Sequence, residues 1–162
     1  MIKVCALHEM PALKDDFEFV ISICDPGFKL PRINEKHYIA SFWDNENPTG
    51  DEFWHMKTEV RKLGEWIKAH QLDHQKHNIL VHCHAGVSRS AAVAWIIMVM
   101  NGRDIKEAFR ELFKARPQIW PNVMVIELAV TQLGLDRNMM KIAHELNAEL
   151  AEERKVYLGY GG

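Results

Sequence analysis

Between the apolar runs "NILV" and "AAVAWIIMVM" the chain reads "HCHAGVSRS", His82 to Ser90. A buried core has little use for that arginine, and a plain surface turn has little use for that cysteine. Cys83 offers a thiol whose ionised form is a strong nucleophile. Gly86 permits a tight turn, so the amides of His84, Ala85, Gly86, Val87, Ser88 and Arg89 can wrap into an anion-binding nest. The planar fork of Arg89 matches two oxygens of a tetrahedral oxyanion. The amides, the guanidinium and the dipole of a following helix would also favour the Cys83 thiolate. A thiolate beneath a bound phosphate is placed for in-line attack on phosphorus, giving a phosphocysteine that water later hydrolyses. Ser90 can donate a hydrogen bond to the departing sulfur.

Such a loop has to be held between a strand and a helix. "NILVHC" reads as a strand buried on both faces of a parallel sheet, and Arg89–Met100 as an apolar helix stopped by Asn101-Gly102. The helix N-terminus would aim unpaired N–H groups at the loop. Earlier strands are "IKVCAL", "FEFVISIC" (stopped by Asp25-Pro26-Gly27) and "HYIASFW". Thr49 and Glu52 have capping-box spacing, predicting a helix to about Gln71 whose buried stripe is Phe53, Met56, Val60, Leu63 and Ile67. Asp104 with Glu107 opens another helix that ends before Pro117, and Asn122 caps one ending near Gly134. Arg137–Tyr157 reads as a last helix, whose Glu145, Glu149, Glu152, Glu153, Arg154 and Lys155 form a solvated face. Strands joined through helices predict an α/β fold, a mostly parallel central sheet flanked by helices. No repeat or linker divides the 162 residues, so one domain is expected over 1–162, with 137–162 as C-terminal helix and tail.

The formal net charge of -2, without blocks of like charge, speaks against a nucleic-acid or membrane-surface binder. The run from Ala91 to Met100 is short of the roughly 18 apolar residues a bilayer span needs. No signal peptide is visible, and three cysteines without framework spacing favour a reducing compartment. A cytoplasmic protein is expected. Cys5 and Cys24 lie in apolar strands and read as core. The nine histidines invite a metal site, but a His-Cys-His run rarely supplies three ligands to one tetrahedral centre. Neither metal nor cofactor is expected. His82 reads as orienting the loop and His84 as lending its amide. His70, His74 and His77 read as solvated, and Trp66, Trp95 and Trp120 as core.

The extended motif "VHCHAGVSRS" resembles the signature loop of cysteine-dependent protein tyrosine phosphatases, closest to the dual-specificity type. "ARPQIWPN" resembles that family's Arg-Pro…Pro-Asn stretch, and "VISICDPG" and "SFWDN" resemble segments of small bacterial tyrosine-phosphatase-like proteins. The likeness covers roughly residues 17 to 135. It implies a phosphatase acting on phosphate monoesters, with phosphotyrosine in proteins as first expectation and phosphoserine or phosphothreonine beside it. Phosphoinositide and RNA 5′-phosphate are alternatives, as is a phosphate-binding pseudophosphatase. Sulfur or arsenate handling shares the cradle logic, but this loop does not resemble theirs. The family takes its general acid from an aspartate on a loop after a strand, which here points to Asp44. Glu46 and Asp51 are rivals, Asp51 having a ready role as a helix N-terminal charge. In the family, the Pro-Asn region packs against the signature loop, so Asn122 is either a support or only a helix cap.

Overall fold

The computed structural model describes residues 1–159. Its sheet has four parallel strands in the order β1-β4-β2-β3: β1 Ile2–Ala6, β2 Phe19–Cys24, β3 His37–Ser41 and β4 Ile79–Cys83. The two central strands, β2 and β4, are buried at every position, in keeping with sequences that are apolar apart from Ser22 and His82. The helices are α1 (Met10–Leu13), α2 (Gly50–Ala69), α3 (Arg89–Met100), α4 (Ile105–Ala115), α5 (Val123–Leu133), α6 (Asn138–Glu149) and α7 (Ala151–Tyr157). The expected α/β architecture, a parallel sheet flanked by helices, is the one observed.

The two faces of the sheet are covered unequally. Helices α2 to α6 build the large core on one face, around buried Trp95, Phe109, Ile97 and Met98 of α3 and α4. On the other face Cys5, Met10, Val20 and Leu80 make a small cluster under Leu13, Phe17 and Leu30. Between β2 and β3 the chain crosses without a helix. That segment, residues 25–36, lies beyond the carboxyl end of β2 and becomes part of the site wall.

Local signals were realised unevenly. Asp104 accepts from the amides of Lys106 and Glu107 at 3.0 Å, Asn122 caps α5 through Val125 N, and Gly134 ends α5 in the left-handed region. The capping box at Thr49 does not form. Thr49 stands at the N-cap without a side-chain bond, because Glu52 instead accepts from Asn45 Nδ2 at 3.0 Å. The single helix expected over 137–157 breaks at Leu150 into α6 and α7, and residues 160–162 of the expected tail lie outside the described residues. No described helix is long and apolar enough to cross a membrane.

Candidate active site

The loop from Cys83 to Ser88 leaves the end of β4 and feeds α3. Its carbonyls are tied outward. Leu7 N donates to His84 O at 3.1 Å, and Arg116 donates to Ala85 O at 3.4 Å and to Gly86 O at 2.7 Å. Trp120 N donates to Val87 O at 2.8 Å and Asn122 N to Ser88 O at 3.2 Å, while His82 Nδ1 lies 3.4 Å from Cys83 O. In a planar trans peptide the N–H opposes the C=O, so carbonyls held outward turn the loop amides inward, above Cys83. Arg116 is itself fixed by Glu9, whose Oε2 lies 3.0 Å from Nη2 and also accepts from Ala6 N at 2.6 Å. Glu9 was not visible as a site residue in the sequence, since only the tertiary fold brings it to Arg116.

Gly86 is required twice over. Its φ is +66°, and a Cβ there would stand 2.5 Å from the carbonyl carbon of Cys5 and 2.6 Å from Ala6 N. The loop therefore lies directly on the backbone at the end of β1.

Within this cradle Cys83 is 3% exposed, and its Sγ is 3.0 Å from Ser90 Oγ at the first turn of α3. Arg89 is equally buried. Its Nη1 donates to Phe42 O at 2.6 Å and to Asp25 Oδ1 at 2.8 Å, while its Nε is buried without a hydrogen-bond partner among the described residues. A buried unpaired donor is costly, by about 1–3 kcal/mol, so the free edge of the fork is a place for an acceptor. The structure thus places Ser90 against Cys83 and ties Arg89 and the loop 84–88 to the elements around them.

Asp25, in sequence the first residue of a turn, anchors Arg89. The turn is of the type with proline second and a positive-φ glycine third: Phe28 N donates to Asp25 O at 3.0 Å and Gly27 has φ +87°. Asp25 N donates to His84 Nε2 at 3.2 Å, so His84 contributes its ring as well as its backbone. Phe28 packs edge-to-face on His84 with ring centroids 4.9 Å apart and remains 44% exposed. The rigid turn thereby presents an aromatic wall beside the cradle. The sequence signal was available in "DPGF", which follows a strand of a parallel sheet at its ligand-binding end.

Asp44, exposed on the loop after β3, reaches the cradle. Its Oδ1 accepts from Ser88 Oγ at 2.7 Å and from Asn122 Nδ2 at 2.8 Å. The rivals are engaged elsewhere. Glu46 Oε1 accepts from Val123 N at 3.3 Å, and Asp51 sits in the first turn of α2. Asn122 is both a helix cap and a support of the loop.

Three readings need correction. Arg154 is not on a solvated face: it is 2% exposed, donates to Ile119 O at 2.6 Å and to Asn147, and lies over the ring of Trp120 at 4.4 Å. Trp120 is not core but 41% exposed, on the segment that touches Val87. Of the three histidines read as solvated, His74 is instead 7% exposed and paired with Asn101 Oδ1 at 3.1 Å, and His77 is half-buried against Phe19, whereas His70 is exposed as expected with its ring against Trp66. Long or amphipathic side chains with polar tips hide their burial from a one-dimensional pattern. Cys5 and Cys24 are buried as expected, and burial pushes the Cys5 thiol up to about 11 and the Cys24 thiol upward as well. Among the described residues no group of three His, Cys, Asp or Glu side chains could hold a metal ion.

A cysteine at the end of a parallel strand and a buried arginine at the start of the next helix thus flank one short loop. Residues 30–130 match the family described as dual specificity phosphatase, catalytic domain, and the chain belongs to that family. It is 28% identical over 106 residues to Putative tyrosine phosphatase 123R of Invertebrate iridescent virus 6, covering 64% of this chain and 70% of that protein. It is 46% identical over 50 residues to MAP kinase phosphatase with leucine-rich repeats protein 2 of Dictyostelium discoideum, covering 30% of this chain. That stretch is only 7% of the Dictyostelium protein. The fold is shared with the Cydia pomonella PTP-2 phosphatase, at a TM-score of 0.55 and 22% identity over 78% of this chain and 82% of that one.

Proposed function

We propose that the protein hydrolyses phosphate monoesters through a phosphocysteine intermediate, with aryl phosphates, and hence phosphotyrosine in proteins, as its preferred class. The observation that carries this reading is the pairing of the Cys83 thiol, 3.0 Å from Ser90, with the unpartnered buried Nε of Arg89 in one cradle. The loop amides and Arg89 hold the three non-bridging oxygens, and Cys83 Sγ attacks phosphorus opposite the ester oxygen. The S–P bond forms as the P–O bond breaks. Asp44 gives its proton to the leaving oxygen; both neutral donors converge on Oδ1, so Oδ2 is assigned to carry that proton. A water then attacks the phosphocysteine and passes a proton to the Asp44 carboxylate. Inorganic phosphate leaves, and the restored Cys83 thiolate takes a hydrogen bond from Ser90.

The preference for an aryl ester rests on Phe28, whose exposed ring stands beside His84 where a substrate ring would lie. All three thiols are free, which supports a reducing, cytoplasmic setting.

The test is hydrolysis of an aryl phosphate with and without vanadate, repeated with Cys83→Ser, on a panel that adds phosphoserine peptide, phosphoinositide and RNA 5′-phosphate. The expected result is vanadate-sensitive turnover of the aryl ester that Cys83→Ser abolishes while the fold and oxyanion binding persist. Substantial hydrolysis by Cys83→Ser overturns the mechanism. Vanadate binding without any turnover identifies a phosphate-binding module instead, and preference for another panel member overturns the substrate class.

A further inference from the structure

Beneath the cradle, the sheet interior holds three polar side chains that the chemistry above does not use. Ser22 of β2 is fully buried, and its Oγ lies 2.6 Å from His37 Nε2 and 2.6 Å from His82 Nε2. His82 and His37 are as buried, on β4 and at the start of β3. The direction of this chain can be read from its ends. Ile33 N donates to His37 Nδ1 at 2.9 Å, so that nitrogen is bare and Nε2 carries the proton. His37 Nε2–H then donates to Ser22 Oγ, and the Ser22 hydroxyl donates to His82 Nε2. With Nε2 accepting, the remaining proton of His82 is on Nδ1, which faces Cys83 O at 3.4 Å. Burial, the largest influence, pushes both imidazoles down to about 4, so at neutral pH they are uncharged and the chain conveys orientation rather than charge.

We propose that Ser22 and His37 are positioning residues for Cys83: they fix the tautomer of His82, which holds the Cys83 carbonyl and so sets the peptide that leads into the cradle. The proposal rests on Cys83 being the nucleophile. Fixing the tautomer and ring of a histidine through a hydrogen-bonded partner is a general device, and around metal-bound histidines loss of such a partner typically costs about 10–100-fold. The charged and titratable groups around Cys83 itself are unchanged by these residues: Arg89 of α3, His84 of the loop, Cys5 of β1, Cys24 at the end of β2, and Asp25 and Asp44 beyond β2 and β3. Any change in Cys83 on severing the chain therefore comes through His82.

The experiment follows the rate of Cys83 alkylation by iodoacetamide against pH, with the modified peptide resolved from those of Cys5 and Cys24 by mass spectrometry. It needs no phosphatase activity. Ser22→Ala and His37→Leu break the chain, whereas His37→Gln keeps a donor in place of Nε2. The expected result is alkylation at neutral pH about fivefold slower in the first two, as loss of one net hydrogen bond implies, and near wild type in His37→Gln. The kcat for an aryl phosphate should fall about tenfold in the same two variants, with KM little changed. Val60→Ala, a core truncation of similar destabilisation away from the site, should leave the alkylation profile unmoved. Should Ser22→Ala not fold, the His37→Leu and His37→Gln pair decides. Profiles that superimpose on wild type, or an equal change in Val60→Ala, overturn the relay. Turnover by Cys83→Ser would sink the phosphocysteine reading instead, while the alkylation profile still judges the relay.

Discussion

The side-chain amide of Asn122 donates to Oδ1 of Asp44 at 2.8 Å, linking the start of α5 to the loop after β3 across 78 positions of sequence. Asn122 is fully buried, and its own Oδ1 caps α5 through Val125 N at 3.0 Å. Ser88 Oγ meets the same Asp44 oxygen at 2.7 Å. One asparagine thus caps the start of a helix and, with a serine of the cradle, holds an exposed carboxylate against the loop.

If Asp44 protonates the leaving oxygen, Asp44→Asn lowers kcat for alkyl phosphates by about 10²–10⁴-fold, the usual worth of a general acid. Esters of very acidic phenols need that proton less and should lose much less. The basic limb of the pH–rate profile should flatten in Asp44→Asn while the acid limb stays. Survival of the basic limb, with its loss in Glu46→Gln or Asp51→Asn, would assign the acid to another carboxylate.

What was legible in the sequence was what is local. Cys83, Gly86, Arg89 and Ser90 lie close together in sequence at one strand–loop–helix junction, so spacing alone groups them. The resemblance pointed to Asp44 and the structure brings it to Ser88, but its contact with Asn122 was not legible. The supports were not legible, because they depend on sheet register and loop paths: Asp25 on Arg89, Glu9 on Arg116, and Ser22 opposite His82 in the β2–β4 pairing. Arg154 shows the other limit. A charged residue among glutamates reads as solvated, yet Asn147, Ile119 and the rings of Phe113 and Trp120 surround it. The predicted capping box failed for a similar reason, since Asn45 takes the glutamate that Thr49 would have shared.

Gly86→Ala should damage the cradle rather than merely stiffen it. The new methyl would meet the Cys5 and Ala6 backbone at 2.5–2.6 Å, and the end of β1 cannot rotate away as a flexible side chain would. Positive φ adds its own strain, and together the two are worth about 2–4 kcal/mol. Denaturant unfolding should report that loss, and vanadate affinity should fall with it because the loop must lift off β1. A variant that keeps wild-type stability and vanadate affinity would mean that the loop does not rest on β1.

Acid sensitivity offers a last measurement, and it concerns the histidines under the site. His37 and His82 titrate at about 4 in the folded protein against an ordinary 6.5, chiefly through burial. Between these values the unfolded chain binds protons that the folded chain refuses, so stability rises with pH there. The contribution of the neutral pair is complete above about 6.5 and is lost progressively as pH falls towards 4, on the order of 3 kcal/mol for each histidine. Burial pushes Glu9 up, but the Ala6 amide and Arg116 together outweigh it and hold the carboxyl low, so Glu9 adds acid sensitivity as pH falls from its ordinary carboxylate value downward. Urea midpoints measured at pH 7, 5.5 and 4.5 should therefore fall steeply in the wild type. His37→Gln removes one titrating site while keeping a donor to Ser22, so its midpoint should fall about half as much over the same interval. A wild-type midpoint that stays level from pH 6.5 to 4.5 would mean that the two imidazoles are not held neutral in the folded sheet. An equal slope in His37→Gln would place the acid sensitivity in other groups.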